Sequence, residues 1–309
     1  MGIGNFIRIS DHTTMIMGER PHGNAGGIAV ENYTIAIDST GNLSGGKMFR
    51  KMLEKYYNLP IKYLVLTHYH GDHINGRQAF EDVDIIISDY IPIDKGRFKN
   101  AILIEEEYLI QDKNFEVIIT HTGGHTVDSI FIHFPEEKIV FSGDLIFENL
   151  FPPFGGDQTC NPELWFNGLE RIKALNPVKI IPGHGPVLTG DKINNHISNM
   201  QKIRNSIKKA IKENQKPSEI EISDYYGEFH ERWMSRTLPH WFSFYRTIDK
   251  IPGILEEIRF KTHEQNRNNL SKLTLKELKV LTNHLRIQVR GNKNKIVDEI
   301  LKTIEKHVS

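Results

Sequence analysis

One segment constrains this chain more than any other: the β-branched, apolar run Lys62–Thr67 leads directly into His68-Tyr69-His70-Gly71-Asp72-His73. Alternation at a strand end sets His68 and His70 on the same side, and Gly71 lets the chain turn so that Asp72 and His73 face a neighbouring position. A lone histidine reads as an ordinary core or surface residue. Four ligand-type side chains within six residues, placed at a strand end before a turn, point instead to a metal centre.

Further short runs of strand character occur at Phe6–Ser10, Gly27–Val30, Thr34–Asp38, Val83–Ser88, Glu116–Thr120, Ser129–Phe134, Lys138–Ser142 and Val178–Ile181. Turn residues separate most of them and helical patterns only some, which predicts sheets with hairpins and covering helices. Pro135-Glu136-Glu137 is the expected hairpin turn. Asn161 as N-cap and Pro162 at the first helical position open a helix with Trp165, Leu169 and Ile172 on one face. Between Asp191 and Asn214, Ile193, Ile197, Met200, Ile203, Ile207 and Ile211 step by three or four, the pattern of a long amphipathic helix. Trp233, Trp241, Phe242, Phe244 and Tyr245 are assigned to packing or to a homodimer contact. The polar stretch 263–269 is the expected linker.

With 309 residues, 39% of them hydrophobic, the chain is long enough for one large core and an appendage. No window approaches the ~18 apolar residues of a membrane span, and Met1–Asp11 lacks signal-peptide features, so a cytoplasmic protein is expected. The single cysteine, Cys160, cannot form an intramolecular disulfide. Net charge is zero, yet residues 261–309 carry 11 Lys/Arg against 5 Asp/Glu, a net +6, which leaves −6 on the remainder. Such a split predicts two modules, the smaller suited to a polyanion.

The histidine segment resembles the opening signature of the metallo-β-lactamase superfamily, His-x-His-x-Asp-His after a strand. The other landmarks follow in family order: a strand ending in Asp38, Gly124-His125-Thr126, Ser142-Gly143-Asp144, and Pro182-Gly183-His184-Gly185. The resemblance covers residues 1–260 and implies an α+β fold, the four-layer αβ/βα sandwich, with metals at the edge between two sheets. It implies that His68, His70 and His125 hold one metal, Asp72, His73 and His184 a second, and Asp144 both, with Asp72 also assigned a catalytic role and Asp38 orienting a ligand from behind. Nitrogen and carboxylate donors without thiolate suit two Zn²⁺, with Fe and Mn also admitted. A shared hydroxide is then the expected nucleophile. His121 is expected to be structural, and His22 and His240 are weaker candidates for the pocket.

Departures from relatives narrow the class. Asp144 stands where true β-lactamases of the superfamily usually carry Cys or Ser, and His70 is not the Glu of flavodiiron reductases. The 40-residue gap from Asp144 to His184 is too short for the extra domain of cleavage-factor-type RNA-cleaving relatives. No counterpart to the exosite arm of tRNA 3′-end endonucleases is visible. The remaining resemblance is to compact hydrolases of esters, thioesters and lactones. The loop Glu148–Asp157 is placed to lid the pocket.

In the tail, Thr274 and Glu277 form a capping-box pattern, and Leu278, Leu281 and Leu285 give a helical face. Ile287–Val289 reads as extended, Gly291 breaks the chain, and Asn292 caps a second helix lined by Ile296, Val297, Ile300, Leu301 and Ile304. The pattern resembles the SAP motif, a small nucleic-acid-binding module. That resemblance implies DNA or RNA contacts through Arg286, Arg290, Lys293 and Lys295. The expected organisation is a catalytic domain over 1–262, a linker over 263–269 and a SAP-like helix-loop-helix domain over 270–309. A metal-dependent nuclease that uses the tail to hold its strand is the alternative to a small-substrate hydrolase. A non-catalytic nucleic-acid tether is the second alternative, disfavoured by the complete ligand set.

Overall fold

The computed structural model describes residues 4–18, 23–147, 157, 159–222, 231–251, 263–285, 287, 289 and 291–308. They fall into two compact units, 1–150 with 163–198 and 151–162 with 199–309.

The first unit is built on two sheets. Strands β1 (Phe6–Arg8), β2 (Thr13–Ile16), β3 (Ala25–Ala29), β4 (Thr34–Ile37), β5 (Ile61–Val65), β6 (Asp84–Ser88) and β7 (Ala101–Ile104) lie side by side in sequence order. Pairing is antiparallel from β1 to β4 and parallel from β4 to β7. The second sheet runs β13 (Leu188–Thr189), β12 (Lys179–His184), β11 (Ile139–Phe147), β10 (Ile130–Phe134), β9 (Phe115–His121), β8 (Glu107–Asp112). Only β11 and β12 pair in parallel. The predicted hairpin turn is a single 3₁₀ turn at Pro135–Glu137.

Strand alternation explains the layering. Ile35, Ile37, Val65 and Ile86 point from the first sheet into a core shared with Val117, Ile119, Ile130, Ile132, Phe134 and Phe141 of the second. Their neighbours Ala36, Leu64, Leu66, Ile85 and Ile87 face outward onto Phe49 and Leu53 of helix α1 (Leu43–Tyr57). That helix is capped by Asn42, whose Oδ1 accepts from the Gly45 N–H at 2.9 Å, and ends on Asn58 in the left-handed region. On the far side, helix α3 (Pro162–Ala174) buries Trp165, Leu169 and Ile172 completely, as its stripe predicts. Trp165 Nε1 donates to the Leu145 carbonyl of β11 at 2.7 Å. Helix, sheet, sheet and helix give the expected αβ/βα sandwich. A one-turn helix α2 (Gly71–Ile74) follows β5.

Sequence patterning misses β2, β7, β8, β13 and α1, and ends β11 early. All nine residues of β11 are buried, so Asp144 sits inside the strand and not beyond it.

In the second unit, the amphipathic helix α4 (Lys192–Lys212) spans its predicted range, and the unit boundary falls within it. Helix α5 (Glu231–Ile248) buries Trp241, Phe244 and Tyr245. The stretch expected to be a linker is a helix, α6 (His263–Lys272). Its side chains are polar but not helix-breaking, and tertiary contacts decide the matter: Leu270 and Asn266 are buried, and Arg267 pairs with Asp298. Helix α7 (Leu275–His284) carries the predicted capping box, with Thr274 N–H donating to Glu277 and Glu277 N–H donating to Thr274 Oγ1. Helix α8 (Lys293–Val308) begins at Asn292, which caps the Lys295 N–H, and buries Ile296, Val297, Ile300 and Leu301. Within this unit α7 packs on α5 and on α8, and α6 on α8. No helix among the described residues is long and apolar enough to cross a membrane.

Candidate metal centre

The seven residues named from the sequence converge where the C-terminal ends of β4 and β5 meet β11 and β12. Two groups of ligand atoms form, His68, His70, His125 and Asp144 in one, Asp72, His73 and His184 in the other. Within each group the ligand atoms lie within 4.8 Å of one another. Asp144 faces both. Its Oδ2 is 3.6 Å from His68 Nε2 and 3.4 Å from His125 Nε2, while Oδ1 is 3.1 Å from His73 Nε2 and 3.5 Å from His184 Nε2. His125 Nε2 approaches His70 Nδ1 to 3.0 Å, and His184 Nε2 lies 3.2 Å from Asp72 Oδ2. His68, His73, His125 and Asp144 are buried, whereas His70, Asp72 and His184 are half-buried and mark the open side.

Local backbone geometry sets this up. Asp38 leaves β4 with φ of 56°, a left-handed conformation that Asp tolerates better than most residues. It aims its carboxylate at β5. Oδ1 accepts the Thr67 N–H at 2.8 Å, and Oδ2 accepts both the Thr67 hydroxyl at 2.9 Å and His73 Nδ1–H at 2.8 Å. Thr67 Oγ1, having spent its proton on Asp38, accepts from His68 Nδ1–H at 3.1 Å. Both histidines are thereby held through Nδ1 with Nε2 turned inward. Gly183 lets β12 close on Asp144, because a Cβ there would lie 1.9 Å from Asp144 Oδ1 and 2.7 Å from the Gly143 carbonyl carbon.

The electrostatics follow from burial and crowding. Burial and the neighbouring His73 push His68 well below the usual histidine range. Burial opposes charge on His73 as well, but Asp144, Asp72 and Asp38 outweigh it and raise that group well above 6.5. His184 is raised to about 9, since Asp144 and Asp72 overcome the burial cost. Asp144 is held well below the carboxylate range by His73, His184 and His68 in spite of its burial.

Metal fits this arrangement. His68 Nε2, His73 Nε2 and Asp144 Oδ1 are buried without a hydrogen-bond partner among the described residues. Leaving such atoms unsatisfied costs about 1–3 kcal/mol each. A divalent cation is the partner that several converging imidazole lone pairs and a carboxylate accept together.

A family profile described as "Metallo-beta-lactamase superfamily" matches residues 19–184. The chain belongs to the metallo-beta-lactamase superfamily. It is 32% identical over 178 residues to the "Beta-lactamase-like protein 2 homolog" of Caenorhabditis elegans, covering 54% of this chain and 57% of that one. It is also 32% identical over 165 residues to the "Hydroxyacylglutathione hydrolase" of Pelagibacter ubique, covering 50% of this chain and 66% of that one. The chain thus matches these relatives over less than two thirds of their lengths. Among solved structures, a metallo-beta-lactamase from Pontibacter korlensis superposes with a TM-score of 0.57 at 17% identity, over 64% of this chain and 98% of the other, a likeness of fold.

In this superfamily member the other sequence candidates resolve as follows. His121 stacks on Tyr90 at 4.7 Å, and its Nε2 meets the Val127 carbonyl at 2.9 Å, away from the cluster as expected. His240 approaches the Cys160 carbonyl at 3.3 Å. Cys160 is buried, and burial raises its thiol well above the ordinary range, so it is a packed thiol. His22 and residues 148–156 of the expected lid lie outside the described residues, as do Arg286 and Arg290. Lys293 donates through Nζ to the Ser271 carbonyl at 2.5 Å, and Lys295 is exposed. Sequence reasoning missed Thr67 and Phe147. Thr67 precedes the first ligand directly, which was a usable signal; Phe147 gave none.

Proposed function

We propose that this chain is a binuclear metallohydrolase, with zinc as the metal its donors suit, acting on an ester, thioester or lactone. The observation that carries the reading is the split carboxylate of Asp144, one oxygen toward each ligand group. His68, His70 and His125 would hold one ion and Asp72, His73 and His184 the other. When bound, such a pair polarises a carbonyl and supplies a nucleophile at neutral pH. Asp38 keeps His73 and, through Thr67, His68 oriented. The half-buried rim of His70, Asp72 and His184 is where substrate enters, and Asp72 is the carboxylate placed to take a proton there. The name of the Pelagibacter relative specifies an acyl group carried on glutathione, which supports a thioester among the three classes.

Asp144→Ala is expected to reduce metal content to background by elemental analysis and to lower thioester hydrolysis by at least ~10³-fold. Full hydrolysis with background metal in that variant defeats the reading.

A second reading, nuclease action with the second unit holding a strand, draws support from charge. The first unit carries 17 Lys/Arg against 24 Asp/Glu and the second 22 against 15, so the second has a net charge of +7. Assay of labelled single-stranded RNA and DNA beside a panel of thioesters and lactones discriminates between the two.

A further inference from the structure

Phe147 occupies a position that the ligand roles leave unexplained. It lies three residues beyond Asp144 on β11, opposite His184 in the β11–β12 register, and is 2% exposed. Its ring is nearly parallel to the His184 imidazole, with centroids 5.8 Å apart and planes at 15°. The same ring meets His125 at 5.7 Å and 62°. Phe147 therefore touches one ligand from each group. Trp165, fully buried, backs it at 6.2 Å and meets His125 edge-on at 5.3 Å.

The contacts matter because the ligands differ in how they are fixed. His68, His70, Asp72 and His73 are coupled by six residues of continuous chain, and His68 and His73 are further held by Thr67 and Asp38. His125 and His184 arrive from separate segments. His184 meets Asp72 and Asp144 through Nε2, and His73 touches it edge-on at 5.4 Å. The flat face of its ring rests on Phe147. Among the described residues, His125 also meets the fully buried indole of Trp165.

We propose that Phe147 is a positioning residue that sets the spacing between the two halves of the metal centre, and that the half containing His184 depends on it more. The proposal rests on the binuclear reading above. An aromatic ring suits the role because it has two torsions, no polar atom to compete for metal, and a preference for offset-parallel and edge contacts at these distances. Truncation would leave a cavity beside His184 that the imidazole can rotate into.

Cobalt(II) titration of the metal-free full chain, read by absorption and calorimetry, tests this. Wild type is expected to take up two equivalents. Phe147→Ala is expected to bind the first within about threefold of wild type and the second at least about tenfold more weakly. Phe147→Leu, which keeps most of the bulk without the flat face, is expected to show a smaller loss of the same kind and decides the matter if the alanine variant does not fold. Histidine-ring NMR of the metal-free variants gives a metal-independent readout: the His184 signals are expected to shift while those of His12 and His133 stay in place. Wild-type affinity for both equivalents with unmoved His184 signals overturns the proposal. Failure of wild type to bind cobalt, with His184 still displaced in the variants, sinks the binuclear reading and leaves the positioning role standing.

Discussion

His68, His70, Asp72 and His73 sit within six consecutive residues after β5, whereas His125 comes from the connection between β9 and β10, Asp144 from β11 and His184 from the end of β12. The first set is oriented by hydrogen bonds that start from the Asp38 carboxylate. The second is oriented by shape: Gly183 under Asp144, Phe147 against His184, Trp165 against His125. One cluster is thus assembled from a local segment and from distant ones. A short segment needs only its tautomers and rotamers fixed. Ligands that meet across long loops need their backbones brought into contact at defined distances, which is a packing problem.

The packed side is the more fragile of the two. Gly183→Ala places a Cβ against both Asp144 and the β11 backbone, so one of them must shift. Overpacking of this kind costs about 1–3 kcal/mol, and here it bears on the Asp144 carboxylate that faces both groups. The expected result, by thermal unfolding and metal analysis, is a folded but destabilised protein that retains less than half of its metal.

Protonation reaches the same side through His196, which is buried and bonded to the Leu145 carbonyl that also accepts from Trp165. Burial lowers this group to about 4 from 6.5. The unfolded chain therefore binds the extra proton first, and the stability contributed by the neutral ring is lost as pH falls from 6.5 towards 4. At one unit per 1.36 kcal/mol the full loss is on the order of 3 kcal/mol. Urea unfolding between pH 7 and pH 4 is expected to show this slope and His196→Gln to flatten it.

The hydrogen-bonded side is expected to respond more mildly. Asp38→Asn keeps the shape but removes the charge and one acceptor, so His73 loses the partner that fixes its tautomer. Metal affinity should fall about 10–100-fold with little change in melting temperature, measured by competition with a chelator. Thr67→Val removes the link between Asp38 and His68 while the Thr67 N–H bond to Asp38 persists. A loss of up to about tenfold is expected, the smallest of the series. If Asp38→Asn destabilises the fold more than Gly183→Ala does, the two sides are not held as described.

Much of the site was legible because its chemistry is written in residue types. Local spacing marked His68, His70, Asp72 and His73, while His125, Asp144, His184 and the Asp38 support were legible only through the resemblance to the metallo-β-lactamase superfamily. Phe147 escaped notice because an apolar residue at the end of a buried strand looks the same whether it fills a core or braces a ligand. Elements were legible where patterning was strong, as in α3 and α4, and missed where edge strands are short or half exposed, as in β7 and β8. The polar run 263–269 misled for the opposite reason. Its composition resembles a linker, yet helical propensity and the burial of Leu270 make it part of a helix.

The His68–His73 segment after a strand end and the segregation of charge could be read from the chain alone, because these are properties of residue types and of spacing along one dimension. Three features come only from packing: Asp144 divides its two oxygens between the groups, Asp38 reaches His73 directly and His68 through Thr67, and one aromatic ring touches both His125 and His184. Each of these joins segments tens of residues apart, and their distances are set by how two sheets and their helices pack, which no local pattern encodes.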